Sequence, residues 1–169
     1  MHETAGELAA LQRLLDDSAA RGGAHLSRII TEDHRLDAAA LCARLQGMRL
    51  LVAATVTADG RPLVGPVDGY FLHGAFFFSS ARDSVRMRHL QTRPAVSASH
   101  LPGEELAVTV HGRAELFDLA SADGAELRQA MLDHYVPLQG PQFEEWLDGL
   151  DALAARIDAD KLFTFQFDG

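Results

Sequence analysis

With 169 residues, 47% of them hydrophobic and 23% charged, the chain has the size and apolar content of one globular domain able to bury a core. A formal net charge of −9 excludes general nucleic-acid binding, which depends on surplus Lys and Arg around phosphates, so any basic cluster here is local. The single cysteine, Cys42, excludes an internal disulfide and reads as a small buried hydrophobe on a helix, in a reducing compartment.

The first residues, "MHETAGELAALQRLL", place Glu3 and Glu7 ahead of Arg13, the reverse of a basic signal-peptide start. No apolar run approaches the roughly 20 residues of a membrane helix, and a cytoplasmic location is expected. From Glu3 to about Ala20, Leu8, Leu11, Leu14 and Leu15 recur at helical spacing, and Arg21-Gly22-Gly23 ends that helix. A second helix is expected over about Asp37 to Gln46, capped by Asp37, with Leu41 and Leu45 facing the core. This helical lead-in is placed to pack across an open end of the strand-rich remainder of the chain.

From Arg49 the period changes. "RLLVAATVT" is a strand, "ADGR" carries the Asp-Gly hairpin signal, and "PLVGPV" resumes extended structure. Pro62 and Pro66 lack the N–H of a central strand, so this second strand lies at an edge or bends. "DGYFLHGAFFFSS" reads as two strands joined at His73-Gly74, with Phe76, Phe77 and Phe78 buried on both faces. A helix over about Asp83 to Thr92 leads to the strand "AVSASHL". The long strand "ELAVTVHGRAELFDL" alternates until Gly112, which predicts a bulge or bend. A helix comes next, with Ser121 as cap and Leu127, Ala130, Met131 and Tyr135 on one face. A further helix is expected around Phe143 to Ile157, and "KLFTFQF" closes the chain as a strand. Some seven strands, mostly in antiparallel hairpins, predict a small barrel of mainly β class with flanking helices.

On the helix after Ser79 and Ser80, Arg82, Arg86, His89 and Arg93 fall on one face. A helix N-terminus favours an anion through its free N–H groups and partial positive charge. Hydroxyls of Ser80 and Ser84 with the Arg86 charge would complete a phosphate cradle. The same residues also read as a strand end, a cap and a solvated basic face.

The succession "VAATVTADGRPLVGPV", "FFFSSARDSVRMRHLQTRPAV" and "VTVHGRAEL" resembles the pyridoxamine 5′-phosphate oxidase-like, FMN-binding split β-barrel family. Ser80 stands at the family's strand-end Thr or Ser, Ser84 at its helical Ser, Arg86 at its Lys or Arg, His89 at its Asn, and Pro94 to Val96 at its "P-x-V". The resemblance covers about Arg49 to Leu116 and the closing strand. With the elements read above, the chain is expected to form a single domain over 1–169: a helical N-terminal extension over 1–47, then a barrel of six to seven strands over 48–169, of the split type that the resemblance implies, with a helical insertion at about 121–157. The resemblance also implies a homodimer with a cofactor at the subunit interface, FMN first and the deazaflavin F-420 as the alternative. Phosphate contacts would come from Ser79, Ser80, Ser84 and Arg86, with Val85 beside them. The ring would lie along Gly65 to Gly69, against Pro66, Val67 and Asp68, and His111, near Thr109, would contribute from the partner or the substrate side.

Asp68 departs from the pattern, since a carboxylate repels an anionic flavin. It accepts a ring N–H or pairs with Arg61. The ending "FQFDG" lacks the C-terminal "R-L" substrate motif of true pyridoxamine phosphate oxidases, which argues against the vitamin B6 reaction. The implied activity is hydride transfer between a flavin or deazaflavin and a small organic substrate. The alternatives are a non-catalytic protein that binds or sequesters flavin, haem or a related tetrapyrrole, and a structural dimer whose cradle is empty. His73, His89, His100, His111 and His134 lie on separate elements without metal-binding spacing, and no nucleophile elbow is present, so no catalytic residue is named. Trp146 reads as a packing anchor.

Overall fold

A computed structural model describes residues 3–167. The Asp168-Gly169 end, where the resemblance would place a substrate motif, lies outside them. Helix α1 (Ala5–Ala20) starts at a capping box: the Glu7 amide donates to Thr4 Oγ1 at 3.3 Å and the Thr4 amide to Glu7 Oε2 at 2.6 Å. Its buried Leu11, Leu15 and Ser18 face the barrel, and Ser18 Oγ accepts the Leu162 amide at 2.9 Å. A short helix, α2 (Ala24–Ile29), and a 3₁₀ turn (Glu32–His34) occupy a stretch in which the sequence predicts no element. Asp37 then caps α3 (Ala38–Arg44) by accepting the Ala40 amide at 2.8 Å. Cys42 is fully buried, and burial, with Glu3 nearby, pushes its thiol up to about 12.

Among the described residues six strands make up the rest of the framework: β1 (Arg49–Val56), β2 (Pro62–Leu72), β3 (Ala75–Ala81), β4 (Ala95–His100), β5 (Leu106–Asp118) and β6 (Ala152–Gln166). They close an antiparallel barrel in the order β1-β2-β3-β6-β5-β4. Helix α4 (Val85–Thr92) links β3 to β4, and α5 (Ala125–Gln139) with α6 (Gln142–Asp148) links β5 to β6. No helix among the described residues is long and apolar enough to cross a membrane.

Two apolar clusters hold the molecule together. Leu51, Val67, Phe76, Phe78, Val108, Val110, Ile157 and Leu162 fill the barrel, which α1, α3 and α4 cover. Tyr70, Leu72, Leu119, Leu127, Leu132, Phe143 and Ala154 form the second cluster, between α5, α6 and the outside of the sheet. Phe77, between Phe76 and Phe78, turns to this second cluster, which explains the unbroken aromatic run.

The helix expected to reach Ile157 ends at Asp148, and the strands among the described residues number six, within the expected six to seven. Ala152 to Ala155 are all buried, because β6 is covered by the barrel on one side and the α5–α6 arm on the other. Such a strand shows no alternation, and its alanines read as helix. Ser121 caps a 3₁₀ turn rather than α5 and makes no side-chain cap bond. Trp146 is 57% exposed; Phe143 is the anchor instead, 5% exposed. The expected irregularity at Gly112 is present: His111 pairs with Lys161 and Gly112 with Ala159, leaving Asp160 as the extra residue of a bulge.

The β2–β3 turn, with φ +51 at His73 and +76 at Gly74, carries an ionic clasp. His73 Nδ1 lies 2.9 Å from Glu7 of α1, and Nε2 lies 2.7 Å from Glu126 of α5. Only the imidazolium can donate to both. Burial lowers the imidazole pKa, but Glu126 and then Glu7 outweigh it and leave His73 above its ordinary value. The contribution is therefore complete below the usual histidine pKa of about 6.5 and is lost as pH rises through the raised value. His73→Asn, which tolerates the left-handed turn, is expected to lower Tm at pH 6 by about 1–3 °C for so solvent-screened a pair. Thermal melts should show that gap closing by pH 9; a gap that does not change with pH would count against the clasp.

Candidate cofactor cleft

The site arises where a seam between strands stops. β2 pairs with β1 over Pro62–Gly69, but with β3 only over Gly69–Leu72. Beyond Phe78, β3 stays with β6, where Ser79 pairs with Ala154 and Ser80 with Leu153. β2 and β3 thus diverge and leave a split with two lips, Gly65–Asp68 and Ser79–Ala81. Pro66 is tolerated because its ring nitrogen and carbonyl face the same side of the strand, away from the β1 ladder and into the split.

Helix α4 closes the inner side of the split. Ser84 caps it by accepting the Met87 amide at 3.3 Å, and buried Met87 and Leu90 fix it against the barrel core. That rotation sends Arg86 into the split, where its Nη2 donates to the Pro66 carbonyl at 3.3 Å. Gly65 leaves the room: a Cβ there would lie 2.9 Å from the same nitrogen. Burial alone lowers the Arg86 pKa, and no carboxylate among the described residues acts on it. A half-buried guanidinium without an anion carries a desolvation cost that a bound anion offsets. The Ser80 hydroxyl, at the opposite lip, has no protein partner among the described residues.

The remaining helix-face cations are occupied otherwise. Arg82 precedes α4 and holds Asp118 and Asp151, at 2.8 and 2.7 Å. His89 Nδ1 bonds Thr55 Oγ1 at 3.0 Å, and Arg93 Nε donates to the Val56 carbonyl at 2.9 Å. Spacing placed all four on one face, yet only Arg86 is left for a ligand.

The other expected residues divide. Val85 is exposed beside Ser84, whereas the Val67 side chain points into the barrel, so only its backbone borders the split. His111 bonds Ser97 at 2.8 Å on the outer face of β5. The register His111–Ser97, Ser97–Ala54, Ala54–Val64 puts it three strands from β2, roughly 14 Å at the usual strand spacing. Within the chain His111 and Arg86 are not brought together. Asp68 does not pair with Arg61, which holds Asp59 at 2.8 Å; it accepts the hydroxyl of Tyr135 from α5. One helical turn earlier, Met131 takes a 3.7 Å contact from Ser79 on the other lip. Helix α5 therefore straps the outer side of the split, and Tyr135 joins the site without any mark in its local sequence.

A six-stranded antiparallel barrel, split beside an arginine with no carboxylate partner among the described residues, defines a split-barrel protein with an anion-ready cleft. The family model for pyridoxamine 5′-phosphate oxidase matches residues 38–159, more than half of the chain, and the chain belongs to that family. No curated protein matches it. Among solved structures it is similar to conserved hypothetical protein Rv2991 from Mycobacterium tuberculosis, with 17% identity, TM-score 0.64, and 80% of this chain and 88% of that one covered. It is also similar to the haem storage protein HutZ from Vibrio cholerae, with 22% identity, TM-score 0.56, and coverage of 69% and 86%. An F-420 reductase aligns at 21% identity and TM-score 0.56, with coverage of 71% and 93%. At these identities the likeness is one of fold. Among the described residues no group of His, Cys, Asp and Glu is arranged to hold a metal ion.

Proposed function

We propose that the protein is a flavin- or deazaflavin-dependent oxidoreductase that holds the phosphate of FMN, or of F-420, in the split between β2 and β3. The observation that carries this reading is Arg86, half-buried, directed into the split and without a carboxylate partner among the described residues. Ser80, whose hydroxyl has no partner among the described residues, and Ser84 at the α4 N-terminus complete a set of donors suited to a phosphate. The bound ring would supply the hydride chemistry, while the chain binds and orients it. The F-420 reductase among the structural neighbours fits this reading, and the reaction of true pyridoxamine phosphate oxidases is not proposed. A second reading, haem binding without catalysis, draws on exposed His111, whose Nε2 has no protein partner among the described residues, and on the likeness to HutZ.

The cofactor site is proposed to lie at the interface of a homodimer. Leu50, Val52 and Val64 are exposed on the outer face of β1 and β2, next to the β2 lip. Such a face on a sheet is what a second copy covers. Replacing Val52 and Val64 together by Asp is expected to give a folded monomer by sedimentation that no longer retains cofactor; a dimer of unchanged stability would remove this face from the interface. The direct test of function is visible absorbance before and after adding FMN and, separately, F-420. Saturable binding of either supports the reading, and binding of neither overturns it.

A further inference from the structure

We propose that Asp68, positioned by Tyr135, selects the kind of ring the split accepts: a ring with an N–H donor on its edge, as in flavins and deazaflavins, in preference to a tetrapyrrole. The inference rests on the reading that the split holds a cofactor.

Asp68 stands on the β2 lip, two residues beyond the Pro66 carbonyl that Arg86 holds. The Tyr135 hydroxyl donates to its Oδ2. Among the described residues Oδ1 has no protein partner and no Lys or Arg pairs with Asp68, since Arg61 is engaged by Asp59. Tyr135 is itself fixed: its ring stacks on Phe143 at 4.7 Å, and Phe143 meets Trp146 at 5.4 Å. Two residues along the same face, Tyr70 is 2% exposed and its hydroxyl has no partner among the described residues. Burial first, then Tyr135 and Asp68, raise the Tyr70 pKa, so its hydroxyl keeps its proton. One lip thus gathers a carboxylate acceptor and two phenols, while the guanidinium serves the inner side.

A complementary ligand carries an anion at one end and a polar, donor-bearing ring edge at the other. FMN and F-420 combine a phosphate with an imide N–H. Haem bears two carboxylates on its edge and presents no N–H outward, so Asp68 meets it with like charge and an unmet acceptor.

The test is equilibrium binding to the purified full chain, independent of turnover. FMN and F-420 affinities are read from quenching of Trp146, the single tryptophan, and haem affinity from its visible absorbance. Asp68→Ala is expected to weaken FMN and F-420 by about tenfold while leaving haem unchanged or tighter. Tyr135→Phe keeps the stacked ring and should weaken the flavins by about threefold, through lost orientation of Asp68. Flavin affinities within twofold of wild type in both variants, or equal losses for flavin and haem, would overturn the proposal, as would a wild-type protein that binds neither FMN nor F-420. If Arg86→Ala abolishes flavin binding while Asp68→Ala does nothing, ring selection fails alone. If neither variant alters binding, the reading of the split itself fails.

Discussion

Replacing Arg86 by alanine is expected to weaken FMN or F-420 binding by about 30- to 150-fold, while the melting temperature stays within a degree or two of wild type. The affinity loss corresponds to roughly 2–3 kcal/mol, the lower part of the range for truncating one partner of a desolvated charge pair. The stability half stems from the environment of Arg86: among the described residues it forms no ion pair, and its single hydrogen bond is to a carbonyl at 3.3 Å. Removing it relieves the desolvation that lowers its pKa. Arg86→Lys should fall between, because an ammonium keeps the charge but not the planar pair of donors. Gly65→Ala makes the same point from the β2 lip. Its Cβ would crowd the guanidinium at 2.9 Å, and a flexible side chain yields more readily than backbone, so the fold survives while the arginine is displaced. Calorimetric titration alongside thermal melts separates the two effects. An Arg86→Ala protein that binds as tightly as wild type would remove the phosphate from this cleft.

Much of this architecture was legible because its punctuation is chemical. The Asp-Gly turn marked the β1–β2 hairpin, with φ +84 at Gly60. Gly112 marked the bulge, and the strand-end serines ahead of a basic helix marked the region of the split. Two kinds of information were missing from the chain order. Ala152–Ile157 lost its period because two layers cover β6, so a strand looked like a helix. The division of labour among Arg82, Arg86, His89 and Arg93 depends on Asp118, Asp151, Thr55 and Val56, which the fold brings in from other strands and loops. Helical spacing defines a face, but it cannot show which side chains on that face are already satisfied. Tyr135 illustrates the same limit: it meets Asp68 across 67 positions of sequence, and only the path of α5 over the split places it there.

Gly112→Ala is expected to be severely damaging, lowering stability by about 3–5 kcal/mol and Tm by about 10 °C or more. The new Cβ would overlap the Asp158 carbonyl oxygen, with the carbonyl carbon 2.9 Å away and Ala159 Cα 3.0 Å away. All three atoms are backbone, so no rotamer change relieves the clash. The bulge holds the two longest strands in register here, with Asp160 set outside the ladder. Relief would require β6 to move away from β5. That movement reaches the site: the half of β6 that precedes the bulge pairs with Ser79 and Ser80 through Ala154 and Leu153, and so positions the β3 lip. The variant should therefore lose cofactor affinity as well as stability, even at temperatures where it remains folded. Gly23→Ala is the matched control, because a Cβ there meets nothing within 4 Å and its φ of −55 suits any residue. Its melting curve should overlay that of wild type. A Gly112→Ala protein that melts within about 2 °C of wild type would mean that the bulge yields freely and that the β3 lip does not depend on it.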